Sequence, residues 1–393
     1  MAENIEAPAR AAILEVPFHK ACLGDDELAE VASAIKSGWI TMGPKTVEFE
    51  DRFKRYLAGG SGDAASALFG VSVNSATAAM HLALKAVGVQ RGDEVILPTN
   101  TFIATAEVVT YFGAIPVLCD IEEDTHNMAV SGLEKLITPR TKAIIPVHHG
   151  GQPCDMDEIM ELARRRGLAV IEDAAHALPS SYKGRMIGTI GDLTCFSFYA
   201  TKTLAMGEGG MVVTANEAYA SRVKVNRLHG ISRDAWDRYT LKGNWYYEVV
   251  DNGYKYNTTD INAGLGLAQL RKLDAMNAAR ARIAAVYDHA FAGSRVIPPA
   301  LRPDRTTCHH LYAIKAWNRD ELHDKLKQEG IGTSVHFIPV HKHPHYRDTY
   351  GYRGADYPVA NRVFEKTLSL PIYPDMTAEQ TEHVWRAVLR HAR

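Results

Sequence analysis

Cysteine is scarce, with five in 393 residues. Cys22, Cys119, Cys154, Cys195 and Cys308 are scattered and odd in number. That argues against a disulfide framework or a zinc spacing and suits a reducing cytoplasm. No run approaches the roughly 18 uninterrupted apolar residues of a membrane-crossing helix. The N-terminal stretch MAENIEAPARAAILEVPF carries acids early and lacks the basic-then-apolar order of a secretory leader. Charge of one sign is not in excess. A formal net charge of −2 gives no electrostatic reason to expect nucleic acid or an anionic membrane as partner. Internal repeats and low-complexity linkers are missing. Histidine is not scarce: there are 17, densest at His148–His149 and at His336, His341, His343 and His345. Neither cluster has the HExxH or Cys/His spacing of a zinc site, so no metal is expected.

What is present is a strand–helix alternation in a chain long enough for two domains. Apolar Leu28, Val31, Ala32 and Ile35 predict a helix from Asp26 to Ser37, after an arm over residues 1–25. Strands are expected at Ala67–Val73, Glu94–Leu97, Pro116–Asp120, Ala143–Val147 and Ala169–Glu172. Helical stretches lie between them, including Ala76–Val87, Thr105–Phe112 and Asp155–Arg166. This pattern argues for a mainly parallel sheet with helices on both faces, which places ligands at the carboxyl ends of its strands. A long helical run from Asp260 to about Phe291 contains the expected boundary. A large α/β domain would cover 26–270, and a small C-terminal α+β domain 271–393.

Two features carry chemistry. The first is Asn74-Ser75-Ala76-Thr77, between a strand and a helix. Its small residues let the backbone approach a ligand, and first-turn N–H groups favour an anion, worth about 0.3–1 kcal/mol for the dipole alone. A plain N-cap by Asn74 or Ser75 is the competing reading. The second lies about 100 residues further on, in AVIEDAAHALPSSYKGRMIGTIGDLTCFSFYATKTLAMGEGG. One apolar strand ends in Asp173, and another apolar segment leads to Lys202 in a loop of small residues. A carboxylate that keeps a pyridine nitrogen protonated and an amine that forms a Schiff base are what a pyridine-aldehyde cofactor needs. Opposite unit charges about 4 Å apart interact by roughly 4 kcal/mol at an effective dielectric of 20, enough to hold such a proton. Taken singly, Asp173 could be a helix cap and Lys202 a surface lysine.

EDAAH, GDLTCFSFYATK and GEGGMVVT together resemble the signature of the DegT-type sugar-nucleotide aminotransferases. SGWITMGPKTVEFE, NSATAAMHLAL, GDEVILPTNTFIATA, TKAIIPVHHGGQP, GYKYNTTDINA, GIGTSVHF and LSLPIYPDMT also look like segments of that family in its own order, over roughly residues 17 to 385. The resemblance implies the fold type I, aspartate-aminotransferase-like architecture. It implies a large domain with a mainly parallel seven-stranded sheet, and pyridoxal 5′-phosphate (PLP, cycling with PMP) as cofactor. It makes Lys202 the Schiff-base lysine and proton shuttle and Asp173 the partner of the pyridine nitrogen. It sets His176 near the phenolic oxygen, with a turn-capping role as the alternative. Phe102 would stack on the cofactor face, or else be a core aromatic. Ser75, Ala76, Thr77 and Ser197 would hold the phosphate. Lys255 or Asn257 would reach the same phosphate in a neighbouring subunit, which implies a homodimer with shared sites. This chain reads GYKYN where many members read GYNYR, and Tyr199 stands where many have His, so Tyr199 is taken as a lining residue.

The same resemblance implies a reaction. L-glutamate gives up its amino group, leaving as 2-oxoglutarate. A keto-sugar carried on a nucleoside diphosphate receives it, making an amino sugar for glycan, lipid A or natural-product biosynthesis. Trp39 and Thr41, in GWIT, resemble the substrate segment of the 4-keto branch, with packing an equal reading for Trp39. His336 is a further candidate on the substrate side. The likeness is greatest to UDP-4-amino-4-deoxy-L-arabinose aminotransferases, with pentose and hexose both open. Three rival readings exist. In sugar dehydrases of this fold a histidine replaces the lysine, and a non-enzymatic relative would have lost Lys202 or Asp173. A transaminase of the same fold could instead act on non-sugar ketones or aldehydes.

Overall fold

The computed structural model describes residues 13–60, 62–232 and 246–393. The expected arm and the leader reading therefore lie outside the described residues up to residue 12. From there the chain is tied down: Val16 forms a parallel bridge with Ile331, and its carbonyl accepts from the Gly332 N–H.

Seven strands form the main sheet: β1 (Phe69–Val73), β2 (Glu94–Pro98), β3 (Ile115–Cys119), β4 (Thr141–Ile144), β5 (Ala169–Asp173), β6 (Leu193–Ser197) and β7 (Gly210–Thr214). Their order is β1-β7-β6-β5-β4-β2-β3, and β7 alone runs against the rest. The strands are apolar along their whole length because helices cover both faces. One layer of core is built on Val73, Leu97, Ile145 and Ile171 with Leu82 and Val108. The other is built on Ile96, Ile144, Val170 and Phe196 with Phe49, Phe53 and Ile159. The expected strand at Ala143–Val147 stops early at Ile144. Pro146 has no N–H for the ladder, and Val147 keeps only an isolated bridge to Asp173.

A 32-residue helix, Asp260–Phe291, passes through two cores. Ala263, Leu267, Leu273 and Met276 belong to the sheet core. Ile283, Tyr287 and Phe291 belong to a separate cluster with Ile314, Leu322, Leu368 and Val384. That cluster surrounds a two-stranded antiparallel ribbon, β8 (Tyr312–Lys315) and β9 (Thr367–Leu370). Neither proline nor glycine occurs between Leu267 and Phe291.

The start of the long helix also fixes the helix Pro44–Leu57. The buried Asp260 carboxylate accepts from the N–H groups of Gly43 (2.8 Å), Lys45 (3.0 Å) and Thr46 (3.0 Å), and from the Thr46 hydroxyl (2.7 Å). These are first-turn donors that no helix carbonyl can reach. Gly43 is required by closeness: a Cβ there would lie 2.8 Å from Asp260 Oδ2. Replacing Asp260 with alanine is expected to cost about 2–4 kcal/mol, through orphaned donors and a lost cap. A urea midpoint within error of the parent protein would contradict this.

Candidate active site

The carboxyl ends of the parallel strands open onto one cavity of about 410 Å³, large enough for a small-molecule ligand. β5 and β6 are neighbours, with Asp173 level with Cys195. Asp173 therefore ends one strand while Ser197 ends the next, and Lys202 follows five residues later.

Asp173 is 5% exposed. Its Oδ2 accepts from the Thr105 hydroxyl (2.7 Å), itself bonded to the Thr101 hydroxyl (2.7 Å), and its Oδ1 accepts from the Ala175 N–H (3.1 Å). Burial raises its pKa, while Thr105, Ala175 and the Lys202 charge pull the other way. Burial pushes the Lys202 ammonium down to about 8, opposed by the Asp173 charge. An amine so placed sheds its proton near neutral pH, and a carboxylate sits close enough to shift it.

Ser75 caps the helix Ala76–Ala86, its hydroxyl accepting from the Ala78 N–H at 3.1 Å. Ser75, Ala76 and Thr77 also line the cavity, so the capping and anion-site readings describe the same residues. The Ala76 and Thr77 N–H groups stand in the first turn, where helices leave donors free. β7 packs against this turn at Gly210, where a Cβ would lie 2.5 Å from the Ser75 carbonyl. Ser197 lines the same wall.

Phe102 lines the cavity and is 59% exposed, too open for a core aromatic. His176 also lines it, and its Nδ1 accepts from the Gly150 N–H (3.3 Å), across to another loop instead of capping its own turn. Burial, then the Lys202 charge, holds its pKa far below the ordinary histidine value. Tyr199 and His336 line the cavity as well. His336 Nδ1 is 2.9 Å from the Ser369 hydroxyl, and burial lowers its pKa to about 3.

Four expected residues are not brought together with these. Trp39 and Thr41 do not line this chain's cavity. They lie in the loop before Pro44, where Thr41 O accepts from the Asp260 N–H (2.9 Å) and Trp39 packs against Gly43. Lys255 and Asn257 are bonded to each other outside the cavity. Between them, Tyr256 O accepts from the Asn74 N–H (2.8 Å), so this segment runs behind the anion turn. Sequence reasoning passed over Thr105, Phe18, His19, His310 and Phe337, which also line the cavity. Thr105 and Phe337 sit inside or beside segments already singled out. Phe18 and His19 arrive only because the N-terminal segment docks at Ile331. Among the described residues no group of three or more metal-ligating side chains converges.

The profile of the DegT/DnrJ/EryC1/StrS aminotransferase family matches residues 21–389. The chain belongs to this family. Among its relatives is the spore coat polysaccharide biosynthesis protein SpsC of Bacillus subtilis (strain 168), 47% identical over 95% of this chain and 96% of that protein. The putative sugar aminotransferase Spr1654 of Streptococcus pneumoniae, solved in a PMP form, superposes with a TM-score of 0.88 at 34% identity, covering 96% of this chain and 98% of the other. It has also been solved in a PLP form. DesV of S. venezuelae, solved with a ketimine intermediate, gives a TM-score of 0.83 at 34% identity over 93% of each chain. This DegT-family chain is thus a PLP-dependent sugar aminotransferase with the fold type I architecture. Its cavity suits the cofactor: first-turn N–H groups of a helix, an exposed aromatic, a carboxylate and a depressed amine face one space.

Proposed function

We propose that the protein moves the amino group of L-glutamate to a 4-keto sugar linked to a nucleoside diphosphate, in the cytoplasm, as a homodimer. The observation that carries this reading is the amine of Lys202, lowered to about 8 beside the buried Asp173 carboxylate, on a cavity that also holds an anion turn. Bound there, PLP supplies an aldehyde and an electron-withdrawing ring. Lys202 is the amine that joins the aldehyde and moves the proton at the substrate carbon. Asp173 keeps a proton at the ring nitrogen, and Thr105 orients its carboxylate. Ser75, Ala76, Thr77 and Ser197 hold the phosphate. Phe102 covers one ring face, and His176 stands by the phenolic oxygen. Tyr199 and His336 face the substrate. Lys255 and Asn257, outside their own chain's cavity, serve that of a second copy, and the loop of Trp39 and Thr41 borders the sugar site of the dimer.

The discriminating assay follows 2-oxoglutarate released from glutamate in the presence of UDP- or dTDP-linked 4-keto sugars, and of simple ketones. The expected result is turnover with a nucleotide-linked keto-sugar and almost none with simple ketones. Equal or faster turnover of simple ketones would overturn the sugar assignment.

A further inference from the structure

His310 touches the reactive lysine, and the reading above gives it no role. Its Nε2 lies 3.5 Å from Lys202 Nζ. Its ring is 8% exposed and stacks on His176 at 4.4 Å between centroids, tilted by 45°. Its Nδ1 is buried and has no partner among the described residues.

The backbone holds the imidazole there at a cost. His309 has φ +48°, the left-handed region that non-glycine residues avoid. Such strain persists where the surroundings over-determine the conformation, and here they do. The Cys308 thiol donates to the His176 carbonyl (2.8 Å), the Cys308 N–H to the Ser180 hydroxyl (3.2 Å), and the Leu311 N–H to the Gly150 carbonyl (3.2 Å).

Which ring nitrogen carries the proton follows from what faces it. Burial disfavours a charged imidazole most; Lys202 and His176, which lie against the ring, and Arg280 of the long helix and His336, which act from further off, disfavour it too. Among the described residues Asp173 is the carboxylate whose charge acts on the Lys202 amine. The ring is therefore neutral, with one N–H. A buried N–H without a partner is rarer than a buried acceptor without one, so the bare nitrogen is Nδ1 and the proton sits on Nε2.

We propose that His310 is a positioning residue for Lys202, donating its Nε2–H to the unprotonated amine and holding it as an aimed, neutral nucleophile. This rests on the reading of Lys202 as the cofactor-joining lysine. A neutral amine with its lone pair engaged by a donor is stabilised relative to the ammonium, which the same N–H would repel. His310 thus adds to the effect of burial.

The test uses the full chain freed of cofactor. Trace acylation of Lys202 by acetic anhydride, read peptide by peptide by mass spectrometry between pH 6 and 10, gives the midpoint of its titration. His310→Phe keeps a ring to stack on His176 but removes the donor. It is expected to raise the midpoint by about half to one pH unit, and so to slow acylation at pH 7 by about three- to tenfold. His310→Gln returns an N–H and should recover most of the shift. An unchanged or lowered midpoint in a folded His310→Phe protein overturns the proposal. A second measurement needs no shift: ring 15N resonances of the parent protein, with His310 assigned from its loss in any one folded substitution. Protonated Nε2 with bare Nδ1 is the expected pattern, and protonated Nδ1 overturns the proposal. Neither readout involves the cofactor. If the parent protein fails to capture PLP while the midpoint still shifts, the reading of Lys202 fails and the His310–Lys202 interaction stands.

Discussion

Lys202→Ala is expected to leave a folded protein whose turnover falls by at least roughly 10⁴-fold, because the proposed nucleophile and proton shuttle are lost together. Nothing else in the cavity can substitute. Among the described residues Lys202 is the only lysine lining it, and burial is the largest cause that lowers the pKa of His176, His310 and His336 around it. The visible absorption that marks covalent capture of the cofactor should disappear with the amine. A variant that keeps both colour and turnover removes the mechanism. The parent protein should show the same dependence in its pH profile. The ammonium must give up its proton before it can attack, and its pKa is about 8. Cofactor capture by the free amine should therefore slow by about tenfold for each pH unit below that value. Lys202→Ala also tests where Lys255 and Asn257 act. Mixed with a chain carrying Lys255→Ala and Asn257→Ala, it should recover activity in hybrid dimers, since one site in each hybrid then has every residue intact. Failure of refolded mixtures of two inactive variants to recover activity would place those two residues in the site of their own chain.

The second large effect is at Asp173. Asp173→Asn keeps the shape and the Thr105 contact but removes the charge. An opposite charge about 4 Å away is worth roughly 4 kcal/mol at an effective dielectric of 20, which corresponds to about a thousandfold in rate. The expected loss falls on kcat, because the electron-withdrawing power of the protonated ring matters during proton transfer and much less for binding. Cofactor capture should survive, unlike in Lys202→Ala. A kcat within about threefold of the parent would show that the ring nitrogen needs no anion here.

The two groups behind these predictions were legible in the sequence because each follows a short apolar strand, and strand ends in parallel sheets converge. The placement of Ser75, Ala76 and Thr77 at a helix start on the cavity was legible for the same reason. The direction of β7 was not: a fully buried run such as GMVVT has the same composition whichever way it points. The helix Pro44–Leu57 went unread although Pro44 at its first position is a local start signal; it has no side-chain cap of its own, and Asp260, more than 200 residues away, supplies the capping carboxylate. Thr105 was read only as the start of a helix, since its bond to Asp173 spans 68 residues. His310 was not singled out, and its adjacency to His309 does not say which of the two turns inward. The φ of His309 decides that, and no composition reveals it. Trp39 and Thr41 show the reverse: a segment that looks like a pocket wall lies beside a helix start and away from the cavity of its own chain.

The long helix has a mechanical consequence. Swinging the smaller core away from the sheet would require a bend between Met276 and Ile283, in a stretch with no proline, glycine or serine to kink a helix. Several consecutive backbone bonds would break at once. The two cores are therefore mounted on a common beam. Phe18, His19, His336 and Phe337, which line the cavity, belong to short segments outside that beam.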